Sequence, residues 1–137
     1  MIEQAQGDTL VNPMDTTVKV SRSVSTPVKE IWKLLSPREG AEALLGTGGE
    51  LGDKGDSWHA ADGTFGVVRS YHPLEQIRFS WHAAEEAPKT IVEVDLIPDG
   101  VGTRLDITHQ HIPHYFDVAA LTHKWETALE RLEAAAG

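Results

Sequence analysis

Three imidazoles, His109, His111 and His114, fall within six residues, and side chains of that type at that spacing can hold a metal ion or move a proton near neutral pH. His109 and His111 would point the same way along a strand, and His114 could return toward them after Pro113. Nothing supplies a clear fourth ligand, although Asp106 and Asp117 are close in sequence, so no metal and no cofactor are expected. His109 can instead orient a ligand carbonyl or carboxylate, or be satisfied by backbone or solvent at a sheet rim. Arg22 offers a guanidinium that could meet an acidic ligand or pair with one of the chain's own carboxylates. Tyr71 is a second polar group that could orient a ligand. Trp58, Phe79, Trp81 and Trp125 are many large rings for a chain this short, and broad apolar faces of this kind either line a cavity or fill a core. There is no nucleophile elbow, dinucleotide fingerprint or HExxH helix, and the glycine-rich stretch at 46–55 lacks the Lys-Ser/Thr ending of a phosphate loop. No catalytic residue is assigned.

The elements that must position these side chains can be read from period and punctuation. Thr17 to Val24 alternates, with Val18, Val20 and Val24 on one parity, and Arg22 shares it. Thr26 is placed to cap a helix that opens at Pro27 and carries Val28, Ile31, Trp32 and Leu35 on its apolar side. Ser36 and Pro37 end it and start a second short helix through about Leu45. Gly46 to Asp56 has too many glycines for a regular element. Strand signals follow near Ser57–Ala60, Thr64–Tyr71, Gln76–His82, Lys89–Ile97 and Thr103–Gln110, with short turns between them that predict an antiparallel meander. In the last three strands Ile77, Phe79 and Trp81, then Val92, Val94 and Leu96, then Leu105, Ile107 and His109 form one apolar row each. Their alternates, Arg78, Glu93, Asp95, Arg104 and Asp106 among them, predict a solvated outer face. A final helix from about Tyr115 to Ala136 places Val118, Leu121, Trp125, Ala128 and Leu132 on one stripe, which must lie on the sheet.

Composition narrows the function. The chain has 137 residues, enough for one core, and no cysteine, which removes disulfides and thiol chemistry and suits a reducing interior. A net charge of −9 with no basic stripe argues against nucleic acid as a partner. The N-terminus has neither a basic nor an apolar leader region, and no stretch approaches a membrane span, so a cytoplasmic protein is expected. Residues 1–15, with few apolar side chains and no clear period, are expected to form a flexible arm, and 16–137 one domain.

The run VKVSRSVSTPVKEIWKLLSPRE resembles the opening of bacterial proteins similar to the C-terminal domain of the activator of Hsp90 ATPase, within the START-like or Bet v 1-like (SRPBCC) superfamily. Arg22, Pro27, Ile31, Trp32, Ser36 and Pro37 occupy its pattern, with Thr26 in place of an alanine. PLEQIRFSW (73–81), GTRLDITHQ (102–110) and Trp125 match later pieces. Two features depart from the family: Ala43, Leu44 and Leu45 stand where an aromatic pair is usual, and the glycine-rich hairpin around Gly48–Asp56 is short. The resemblance implies an α+β helix-grip fold: a curved antiparallel sheet of about six strands around a long C-terminal helix, with two short helices after the first strand. It further implies a small hydrophobic or amphipathic molecule held between sheet and helix, with Trp58, Phe79, Trp81, His109, Leu121 and Trp125 lining the space and Arg22 and Tyr71 as polar orienting groups. Relatives in the superfamily include cyclases and dehydratases, so an enzyme using the same cavity, with His109 as acid or base, is the alternative. A chaperone-associated interaction module is a third reading, and the separate N-terminal domain of the eukaryotic activator is absent from this sequence.

Overall fold

A computed structural model describes residues 16–35 and 38–136, with the side chains of 38–40 left out. The expected arm at 1–15 and the Ser36-Pro37 break lie outside the described residues. The chain runs β1 (Thr16–Val24), α1 (Val28–Leu35), α2 (Arg38–Leu45), β2 (Ser57–His59), β3 (Phe65–His72), β4 (Gln76–Trp81), β5 (Thr90–Asp99), β6 (Gly102–Ile112) and α3 (Val118–Ala136). The six strands form one antiparallel sheet in the order β1-β6-β5-β4-β3-β2, so β2 to β6 meander and β1 closes on the far side of β6. The curved sheet and the helix laid along it make the α+β helix-grip fold that the sequence predicts.

Local chemistry sets the helix ends. The Pro27 carbonyl accepts the N–H groups of Glu30 and Ile31, which makes Pro27 rather than Thr26 the N-cap of α1. The Thr26 carbonyl is held instead by the Thr103 hydroxyl at 2.8 Å. α3 begins at Val118, three residues later than its periodicity suggests. The Phe116 N–H closes a turn on the Pro113 carbonyl, and the Asp117 carboxylate accepts the Ala120 N–H at 3.0 Å as an N-cap. This late start leaves Val118 39% exposed, outside the buried stripe, which consists of Leu121, Trp125, Ala128, Leu129 and Leu132.

The inner rows of the sheet are as the alternation predicts. Val18, Val20, Ile77, Phe79, Trp81, Val92, Val94, Leu96, Leu105, Ile107 and His109 are all buried. One register change alters the expected geometry. Val18 pairs with His109 but Thr16 pairs with Ile112, so β6 carries one extra residue there, and His111 adopts a left-handed φ of 65°. Ile112 takes the next buried place, and His111 no longer shares a face with His109 as simple alternation requires.

The outer face is less solvated than its polarity suggests. Asp106 is only 4% exposed, gripped by the Arg104 guanidinium at 3.2 and 3.4 Å, with the Lys19 ammonium 3.9 Å away. Gln76 donates to Asp95 at 2.8 Å, and Arg78 lies 3.4 Å from Glu93. Cross-strand polar pairs thus cover that face.

Gly66 on β3 is where the backbone of β4 and an indole come closest. A Cβ there would overlap the Ser80 carbonyl and press on Trp58 Nε1. Gly66→Ala is therefore expected to cost about 2–3 kcal/mol, because neither the ladder nor the packed indole can yield cheaply. Urea titration checks this, and a loss below about 1 kcal/mol would contradict the close approach.

Candidate functional site

The residues expected to line a cavity are all buried, and contacts join them in two groups, Trp58 with Phe79 and Trp81 with His109 and Trp125, packed as a closed seam and not an open wall. Phe79, His109 and Trp125 are fully buried, Trp58 and Trp81 are 3% exposed, and Leu121 8%. The Trp58 ring stands edge-on to Phe79 at 5.6 Å while its Nε1 donates to the Ser80 carbonyl at 3.1 Å. Trp81, His109 and Trp125 meet edge to face, with centroids 5.0 to 6.1 Å apart. Of the whole set, Trp58 borders a surface cleft, one of about 210 Å³ that it shares with Gly48 and Glu50.

His109 is not a rim residue satisfied by backbone; it is the middle of a hydrogen-bond chain that crosses the seam. Trp125 Nε1 lies 3.0 Å from His109 Nδ1. An indole nitrogen can only donate, so Nδ1 must accept and the imidazole proton sits on Nε2. Nε2–H then donates to Thr90 Oγ1 at 2.7 Å, and the Thr90 hydroxyl donates to the Trp81 carbonyl at 2.6 Å. One chain of bonds ties α3 to β6, β5 and β4. Burial, and then the nearby Lys124 ammonium, push the His109 pKa down to about 3. Its imidazole is neutral at physiological pH, with both nitrogens engaged, which suits a structural linker and not a proton carrier.

Trp81 contributes a different kind of polar group. Its Nε1–H is buried and has no hydrogen-bond partner among the described residues, as is true of Ser70 Oγ, while Arg78 Nε on the same sheet has its ion pair with Glu93 but no hydrogen bond. A buried donor left unpaired costs about 1–3 kcal/mol, so an acceptor brought to Trp81 would recover stabilisation that the closed seam forgoes.

The two orienting groups lie elsewhere. Arg22 pairs with Glu133 of α3, its Nε and Nη2 both 2.7 Å from Oε1, at the rim between β1 and α3. Tyr71 is half-buried and packs edge to face on Trp32 of α1 at 5.0 Å. The three clustered histidines do not converge, since His109 faces the core, His111 follows the bulge and His114 is exposed. Among the described residues no group of three potential ligands is placed to hold a metal.

Two contributors were not anticipated. Thr90 shares the inward parity of Val92, Val94 and Leu96, so its position as a polar residue ending an apolar row was available in the sequence. Lys124 precedes Trp125 and lies off the apolar stripe of α3. Its Nζ instead stands 5.8 Å from the Trp81 ring centre and 5.5 Å from that of Trp125, with the Asp62 carboxylate 3.8 Å away.

Residues 25–137 match the family described as activator of Hsp90 ATPase homolog 1-like protein. The chain belongs to this family. Solved structures with the same fold include CalU16 from Micromonospora echinospora, with 22% identity and a TM-score of 0.77 over 93% of this chain and 81% of that one. The Aha1 dimer from Colwellia psychrerythraea is 18% identical with a TM-score of 0.74, over 88% and 96% of the two chains. DynU16, a protein of the dynemicin biosynthetic locus, is 25% identical with a TM-score of 0.71 over 86% of this chain. The chain spans 46% of DynU16. No curated protein matches the sequence significantly. No described helix of this family member is long and apolar enough to cross a membrane.

Proposed function

We propose that this member of the family binds a small hydrophobic or amphipathic molecule between the sheet and α3, at the seam of Trp81, His109 and Trp125. The observation that carries this reading is the unpartnered Trp81 Nε1–H, a donor held in an apolar layer where a ligand carbonyl would find it. The rings around it supply broad faces, and entry requires Trp125 or α3 to move, because the seam is closed. An enzyme acting in the same place would lack its expected acid or base, since His109 is neutral and doubly bonded. A cytoplasmic setting fits a chain without cysteine.

Nile red, which carries a carbonyl on an apolar ring system, is the probe for this reading. Saturable fluorescence enhancement at one site is expected, and Trp81→Phe, which keeps a ring but removes the N–H, should weaken it at least fivefold, about 1 kcal/mol. The variant should stay folded within about 1 kcal/mol, because removing an unpaired donor offsets much of the lost ring volume. Absence of saturable binding, together with native mass spectra free of any retained small molecule, would overturn the proposal.

A further inference from the structure

Beside the seam a groove of about 310 Å³ runs along α3, walled by His123, Lys124, Thr127 and Arg131, floored by Leu44 of α2 and faced by Asp62 from the β2–β3 turn. Lys124, Thr127 and Arg131 recur at steps of three and four, so one flank of α3 presents them together. Two permanent cations and a histidine therefore meet one carboxylate, in a chain whose net charge is −9. Asp62 is occupied from the other side. Burial would raise its pKa, but hydrogen bonds from the Thr64 hydroxyl and backbone and the charge of Lys124 hold it below the ordinary carboxylate value. Arg131 is exposed and has no ion pair among the described residues, so its guanidinium fork is open to a bidentate acceptor.

The turn that carries Asp62 is fixed in place. The Ala61 N–H bonds the Thr47 carbonyl at 2.7 Å, and Gly46, at a φ of +109°, brings the end of α2 close enough that a Cβ would touch Ala60 and Asp62. The groove is thus a built feature bounded by three elements. Lys124 belongs to both it and the seam, for its ammonium faces the groove's carboxylate and also stands by the Trp81 and Trp125 rings.

We infer that this groove is an anion subsite, in which Lys124 and Arg131 take the carboxylate, sulfonate or phosphate group of an amphipathic ligand whose apolar part enters the seam. The placement of the apolar part rests on the function proposed above; the anion subsite rests on the groove alone. An anion there replaces Asp62 as the partner of Lys124 and completes the fork of Arg131.

Two dyes with a shared ring system separate the two ideas. 8-Anilinonaphthalene-1-sulfonate carries an anionic group, and N-phenyl-1-naphthylamine is its neutral counterpart. Arg131→Gln, an exposed change away from the seam that should not disturb folding, is expected to weaken the sulfonate dye about tenfold and the neutral dye less than twofold, and Lys124→Met to weaken the sulfonate dye at least as much. Equal losses for both dyes, or no loss for the sulfonate, would overturn the anion subsite while leaving hydrophobic binding intact. Should neither dye bind, inorganic phosphate judges the groove independently of the seam. Amide shifts confined to residues 123–131 and 61–62, abolished in Arg131→Gln, would support it, and shifts that are absent or unchanged in the variant would overturn it.

Discussion

Trp125→Ala lowers the stability of the fold by about 4–5 kcal/mol, the largest single-residue effect expected in this chain. The indole is fully buried and packs on Trp81 and His109, so its removal forfeits the transfer energy of a large ring and leaves a void that flanking strands cannot close. The loss also strips His109 Nδ1 of its donor. Against a total stability of about 5–15 kcal/mol for a domain of ordinary size, this brings the protein close to unfolding at body temperature. Urea or guanidinium titration of the variant gives the number. Trp125→Phe should lose less, since a ring remains, yet more than ring volume predicts, because the phenyl group leaves Nδ1 unpaired. A Trp125→Ala loss below about 1.5 kcal/mol would mean that the seam is loosely packed.

Acid should weaken the fold well before most carboxylates titrate. His109 is neutral when folded, with its pKa lowered to about 3 by burial and then by Lys124, whereas the unfolded chain protonates it near 6.5. Between those two values the unfolded state holds one more proton than the folded state, so stability rises with pH. The contribution is complete above pH 6.5 and is lost as pH falls toward 3. The slope is about 1.4 kcal/mol per pH unit, or on the order of 4 kcal/mol across the window. Glu93 acts in the opposite sense. Its pKa is raised by burial and then by its hydrogen bond to Asp95, so what it contributes is present below its unfolded pKa and fades as pH rises through the folded one. Denaturation midpoints at pH 7, 6 and 5 in a Glu93→Gln background isolate the histidine. His109→Leu should be less stable at pH 7, with the Trp125 N–H left unpaired, and nearly flat from 6.5 to 5. A parent profile equally flat over that range would refute the assignment.

The difference between what could be read in the residue string and what could not follows from how far each feature reaches along the chain. Strand parity is local, and it placed Ile77, Phe79, Trp81 and His109 on the inner face. The stripe of α3 is local too, but its first turn depends on a competing Asp117 cap, which shortened the helix and exposed Val118. A single extra residue in β6 leaves the hydrophobic pattern almost unchanged, so the bulge at His111 and the separation of the histidines were invisible. The site divides in the same way. That aromatic side chains and His109 would converge was legible; that His109 would bridge Trp125 and Thr90 was not, since those residues lie 16 and 19 positions away on other elements. Whether rings line a space or fill it depends on summed side-chain volume against sheet curvature, which no short stretch encodes.

The solitary indole N–H of Trp81 also equips the protein with a native label. In a proton–nitrogen correlation spectrum an indole proton without an acceptor resonates upfield of hydrogen-bonded ones such as those of Trp58 and Trp125. Any molecule that offers it an oxygen should drive that one peak downfield, so extracts and compound libraries can be screened on unmodified protein by following a single resonance.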